Sequence, residues 1–134
     1  MNVVIDASAA VGIVCSVPGA ECFAAPLERA MLVAAPDLFV AEVCNALWKY
    51  HRADLLSGER CEQLLSHALA LPDRLEPAPA LYLEAFAVAC RHNHPVYDAL
   101  YLVLARRINA AILTMDRRLA GLARDLYVEV VVPE

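Results

Sequence analysis

The sequence predicts an α/β domain built on a mainly parallel sheet with helices on both faces. Two patterns predict it. Short apolar runs alternate along the chain with longer stretches of helical character, the order of a chain that returns to its sheet through crossover helices. The short runs are also apolar throughout instead of alternating with polar residues, as expected of strands covered on both faces. A length of 134 residues suits a single domain over residues 1–134, and 60% hydrophobic residues can form a core without disulfide or metal support.

The elements follow in order. Val3-Val4-Ile5 is a β-branched run ending at Asp6 and reads as a strand. Ala7 to about Val14 is helical. Pro18 starts a second helix, Gly19 to Ala30, with Ser16 as a candidate cap. Met31 to Ala34 is the next strand, closed by Pro36, and Asp37 is the expected N-cap of a helix to Ala53. Ser57 opens another helix to about Leu71, which Pro72 stops. Arg74 to Pro77 is a short strand candidate. Ala80 to Asn93 and Tyr97 to Ile108 are helices split by Pro95. Ala111 to Thr114 is a strand, Asp116 to Asp125 a helix, and Tyr127 to Val132 a last strand. No repeat, low-complexity tract or linker interrupts this series.

Composition narrows the function classes. With 20% charged residues and a mean hydropathy of +0.51, the chain is not of the disordered class. The longest uncharged stretch, Ala7 to Ala20, is too short to span a bilayer and is interrupted by Gly12, Ser16 and Pro18. The start MNVVID carries an acid where a secretory signal has basic residues. Sixteen acids against eleven bases, a net charge of −5, argue against a polybasic nucleic-acid binder. They leave room for an enzyme that meets nucleic acid through metal ions. The five cysteines are odd in number and form no CxxC pair, so free thiols packed as small hydrophobes are expected. A reducing compartment, the cytoplasm, follows. His92 and His94 form an HxH without further ligand spacing and read as surface residues.

Ligands of an open parallel sheet bind at the carboxyl ends of its strands. Asp6 and Asp116 follow strands and would project to one edge if those strands are parallel neighbours. Glu42, in FVAEVCNALW, and Asp98, in VYDALYLVLA, are lone acids in apolar helical contexts. Each also has a plainer reading. Asp6 and Asp116 suit helix N-caps, and Asp98 complements the positive end of its helix. Glu42, Asn45, Lys49 and Arg52 share the spacing of a solvated helix face. If the acids meet, two carboxylates about 4 Å apart repel by roughly 4 kcal/mol at an effective dielectric near 20. A hard divalent cation, Mg²⁺ or Mn²⁺, relieves such an all-oxygen site.

The segments VVIDASAAV, PDLFVAEVCNALWKY, HPVYDALYLVLARR and AILTMDRRLAGL, in this order and spacing, resemble a PIN domain, specifically a VapC-type toxin of a toxin–antitoxin pair. The resemblance spans nearly the whole chain. It matches Asp6, Glu42, Asp98 and Asp116 to the family's four acids, with Thr114 and Leu119 completing the T-x-D-x-x-L turn. Ser8 and Asn45 match supporting polar positions. It implies a three-layer α/β/α fold around about five parallel strands. It also implies Mg²⁺- or Mn²⁺-dependent endoribonuclease activity, homodimerisation and inhibition by a cognate antitoxin.

Ten of the eleven basic residues are arginines. Arg106, Arg107, Arg117 and Arg118 flank the third and fourth acidic motifs, and Arg107, Arg117 and Arg118 are candidate phosphate contacts. The plainer reading is a set of solvated helix ends. The helices carrying Phe23, Trp48, Tyr50 and Leu55 are candidate partner surfaces, although Trp48 and the tyrosines are expected mainly in the core.

Two other functions compete. A strand ending in Asp also opens aspartate-based phosphotransfer domains, but those want a Lys on a late strand or loop, and the sole lysine, Lys49, lies mid-helix. A catalytically silent scaffold that acts through antitoxin or nucleic-acid binding is the second alternative.

Overall fold

A strand apolar on both faces must be sandwiched, and the computed structural model, which describes residues 1–134, encloses Val3, Val4 and Ile5 completely. They form β1 (Asn2–Ile5), the central strand of a five-stranded sheet. Beside it run β2 (Leu32–Pro36), β3 (Arg74–Glu76), β4 (Ala110–Leu113) and β5 (Val130–Val131). The order is β3-β2-β1-β4-β5, and every neighbouring pair is parallel. Val3 lies opposite both Val33 and Ala111, and Ile5 opposite Leu113.

The helices are α1 (Ala7–Val14), α2 (Ala24–Arg29), α3 (Leu38–Arg52), α4 (Gly58–Leu69), α5 (Tyr82–His92), α6 (Val96–Arg107) and α7 (Arg117–Asp125). Right-handed crossovers place helices on opposite faces when the chain reverses its direction across a sheet. Here α1, α3 and α4 pack on one another, and α6 packs on α5 and α7, which gives three layers. Residues Ala99 to Ala105 of α6 are all buried, so this helix is enclosed on every side and anchors one layer. Phe23 and Phe39 fill the other.

Several local expectations are corrected. The helix expected over Gly19–Ala30 is instead a 3₁₀ turn, Ala20–Phe23, followed by α2. A continuous helix would put Pro26 in its interior, without an N–H and against the carbonyl of Cys22. Restarting at Ala24 brings Pro26 into the first turn, where no N–H is needed. Ser16 adopts φ 53 and caps nothing. Asp37 makes no cap bond to α3; its carboxylate accepts from the Ala78 N–H at 3.1 Å and ties down the loop after β3. The helix expected from Ala80 starts at Tyr82, after a 3₁₀ turn at Ala78–Ala80. The last strand shrinks to β5, because Tyr127 is in the left-handed region at φ 58 and points into solvent. All five cysteines are free, but none is fully buried, and Cys44 and Cys90 are exposed. Trp48 is half exposed, with the Arg52 guanidinium over its ring, whereas Phe23 is in the core and unavailable to a partner. No helix is long and apolar enough to cross a membrane.

Candidate active site

From β1 the chain moves towards β2 and β3, then crosses back to β4 on the other flank of β1. The gap beyond the carboxyl ends of β1 and β4 is therefore the switch point of the sheet, where an open α/β fold leaves a crevice. Asp6 and Thr114 are the first residues beyond the two strands. The Asp6 N–H continues the ladder to the Leu113 carbonyl at 3.1 Å.

Asp6 is only 5% exposed. Its Oδ1 accepts from Ser8 Oγ at 2.7 Å and from the Ala9 N–H at 2.9 Å, and its Oδ2 accepts from Thr114 Oγ1 at 2.5 Å. Burial outweighs these bonds and, with help from Asp116, pushes its pKa up to about 6. The supporting hydroxyls are themselves held. Ser8 Oγ accepts from the Met115 N–H and Thr114 Oγ1 from the Asp116 N–H, both at 2.9 Å. The two readings of Asp6 and Asp116 are thus compatible, since each also caps a helix, Asp6 through Ala9 and Asp116 through Arg118.

Glu42 reaches the same edge from the middle of α3, half-buried. Tyr101 Oη donates to its Oε1 at 2.6 Å. Burial raises the Glu42 pKa, the Tyr101 bond lowers it, and Asp98 and Asp116 raise it further. Asp98 stands in the first turn of α6, where Pro95 sets the helix start. Burial and then Asp116 raise its pKa, while His94 and Arg118 lower it. Asp116 acts on all three other acids. Residues 6, 42, 98 and 116, far apart in the chain, therefore form one electrostatically coupled group at the switch point.

The donor set is all oxygen, which suits a hard divalent cation. Burial is the main cause of the raised pKa of Asp6, Glu42 and Asp98, and Asp116 adds to each, a repulsion that a bound cation would relieve. No three His, Cys, Asp or Glu side chains approach closely enough to hold an ion as they stand. The fit therefore lies in chemistry and neighbourhood, not in a preformed cage.

Around the acids, Asn45 is exposed one turn from Glu42. It lines a groove of about 490 Å³ with Ser8, Glu42, Lys49, Tyr50 and Met115. Arg117 and Arg118 are exposed in the first turn of α7, and Arg118 is near enough to act on Asp98. Arg107 is not brought to the group. It lies nine residues beyond Asp98, about 14 Å along the helix axis, and donates to the Ala80 carbonyl. Arg106 pairs with Glu84 at 3.5 Å.

Two neighbours of the acids escape a sequence reading. His94, expected at the surface, has a side chain only 15% exposed, with Nδ1 3.3 Å from Asp98 Oδ2. Tyr101 is buried against Glu42. Its signal was a lone hydroxyl in the apolar run ALYLVLA, one turn after Asp98.

The PIN-domain family model matches residues 3–125. The chain is 33% identical over 122 residues to Ribonuclease VapC3 of Pyrobaculum aerophilum, covering 90% of this chain and 93% of that protein. It is 32% identical over 118 residues to Ribonuclease VapC1 of Mycobacterium tuberculosis, covering 88% of each. Its fold resembles the crystal structure of PAE2754 from Pyrobaculum aerophilum, with a TM-score of 0.72 at 25% identity over 91% of this chain and 86% of that one. It also resembles VapBC2 of Rickettsia felis, bound to a promoter DNA fragment, with a TM-score of 0.70 at 13% identity over 100% of both chains. On a match that runs from β1 through α7 and takes in all four acidic segments, the chain belongs to the PIN-domain family.

Proposed function

We propose that this protein is a divalent-metal-dependent endoribonuclease that hydrolyses RNA phosphodiester bonds, and that it is the toxin of a VapBC-type pair. The observation that carries this reading is the gathering of Asp6, Glu42, Asp98 and Asp116 at the sheet's switch point: Thr114 ties Asp6 to the Asp116 turn, and Tyr101, one turn after Asp98, holds Glu42. The ribonuclease names of relatives at 32–33% identity support the substrate class.

In this reading Asp6, Glu42, Asp98 and Asp116 hold Mg²⁺ or Mn²⁺. When bound, the ion supplies positive charge to phosphate oxygens and lowers the pKa of a water. The protein's own part is preorganisation. Ser8, Thr114 and the Ala9 N–H fix Asp6, and Arg118 and Arg117 stand ready for phosphate oxygens beside Asp98. The groove running from Glu42 past Asn45 to Lys49 would take a nucleotide next to the cut, with Lys49 on its phosphate. A phosphotransfer role fits less well. The sole lysine, Lys49, lies two turns beyond Glu42 on α3 and not on a late strand or loop. A single PIN-type unit over residues 1–134, a homodimer, a cognate antitoxin and a cytoplasmic location belong to the same proposal.

Incubation of the purified protein with total RNA tests it. Cleavage should require Mg²⁺ or Mn²⁺ and stop with EDTA. RNA left intact with both metals would favour the silent scaffold.

A further inference from the structure

We propose that Tyr101 is a positioning residue for metal binding: its phenol holds Glu42 in place across the two helical layers. The inference rests on the metal-dependent reading above.

Tyr101 lies within Ala99–Ala105, where α6 is enclosed on all sides, and it is 2% exposed. It is the only polar side chain in that stretch. A phenylalanine would pack equally well there, so the hydroxyl needs a partner to justify its burial. Its side-chain partner is Glu42 Oε1, at 2.6 Å, and the Ala7 backbone also meets the phenol. Helix α3, which carries Glu42, belongs to the layer of α1 and α4, whereas α6 belongs to the layer of α5 and α7. The bond therefore joins the two layers at the carboxyl edge of the sheet, where the acids meet. The phenol is also within electrostatic range of Asp6.

A glutamate has three rotatable bonds, and a mid-helix glutamate facing a crevice is free to swing. A tyrosine fixed in the core has no such freedom. The hydrogen bond engages Oε1 and leaves Oε2 for a cation. Helix α6 thus contributes one acid, Asp98, and restrains a second, Glu42, from the next turn. Partners that orient metal-binding groups commonly change metal affinity or activity by about 10–100-fold when removed.

The test measures Mn²⁺ binding to metal-free protein by the electron paramagnetic resonance signal of free Mn²⁺. Wild type, Tyr101→Phe, Glu42→Asp and the double variant are compared, with RNA cleavage followed across Mn²⁺ concentrations. Tyr101→Phe should weaken Mn²⁺ binding about tenfold, and saturating Mn²⁺ should restore most of the cleavage. Glu42→Asp withdraws the carboxylate from the phenol, so adding Tyr101→Phe to it should bring no further loss. Unchanged Mn²⁺ binding in Tyr101→Phe, or the same tenfold loss again in the Glu42→Asp background, would overturn the proposal. So would a Tyr101→Phe protein that no longer folds in metal-free thermal unfolding, because the hydroxyl would then serve stability. A wild type that neither binds Mn²⁺ nor cuts RNA would remove the functional reading itself. A wild type that does both beside an unaffected Tyr101→Phe would remove this inference alone.

Discussion

Helix α6 carries charge at both ends, and the two ends treat it in opposite ways. At the C-terminal end, Arg106 pairs with Glu84 and Arg107 donates to the Ala80 carbonyl. Both also suit the negative end of the helix. At the N-terminal end, burial and then Asp116 raise the pKa of Asp98 while His94 and Arg118 lower it, and Tyr101, one turn on, donates to Glu42. One end spends its charges on partners inside the chain. The other sets four acids against His94 and Arg118, an excess of negative charge that the proposed metal ion would neutralise. Such a concentration of buried, repelling acids opposes folding, and its place at the switch point of the sheet is what the proposed metal site calls for.

The largest expected effect breaks this contrast most directly. Asp98→Asn should lower metal-dependent RNA cleavage by more than about 100-fold, while metal-free thermal unfolding stays unchanged or shifts upward as repulsion is relieved. A fully active Asp98→Asn protein would contradict the site assignment.

The second effect is on pH dependence. Asp6 is lifted from an ordinary 3.8 to about 6 in the folded protein, so the folded state takes up its proton more readily than the unfolded one. Its stabilising contribution is full below pH 3.8 and is lost as pH rises through about 6. Over that window the metal-free protein should lose up to about 3 kcal/mol of stability from this group. Denaturant unfolding from pH 4 to 7 measures it. Asp6→Asn should flatten the profile, because an amide can keep the Ser8 and Ala9 bonds and turn its NH₂ to Thr114. An equally steep profile in Asp6→Asn would assign the pH dependence to other groups.

These residues also indicate what a sequence can and cannot reveal. The sheet was legible because uniformly apolar strands such as Val3–Ile5 have one way to be buried. The acids were legible because a charge in an apolar run, as at Glu42 and Asp98, needs a reason. Neither pattern registers a partner that is itself apolar in character. Tyr101 reads as one more core aromatic until Glu42 is seen beside it. Trp48 reads as core until α3 is seen to turn it outward. Asp37 had the form of an N-cap, yet a distant N–H, that of Ala78, claimed its carboxylate. Arg107 adjoins an acidic motif in sequence, but the length of α6 carries it to the opposite end.

Smaller effects sharpen the contrast. Lys49→Ala should raise KM for RNA with little change in kcat and reduce the salt slope of binding by about one. An unchanged slope would remove Lys49 from the substrate path. Arg106→Ala, at the paired end of α6, should cost about 0.2–1 kcal/mol of stability and leave cleavage intact. A large loss of cleavage there would erase the distinction between the two ends.

Calorimetric titration of Mn²⁺ into the metal-free protein tests the convergence of the four acids most directly. The wild type should bind, each of Asp6→Asn, Glu42→Gln, Asp98→Asn and Asp116→Asn should bind more weakly, and Arg106→Ala should bind as the wild type does. A wild type with no Mn²⁺ binding, or binding indifferent to all four acids, would contradict the account.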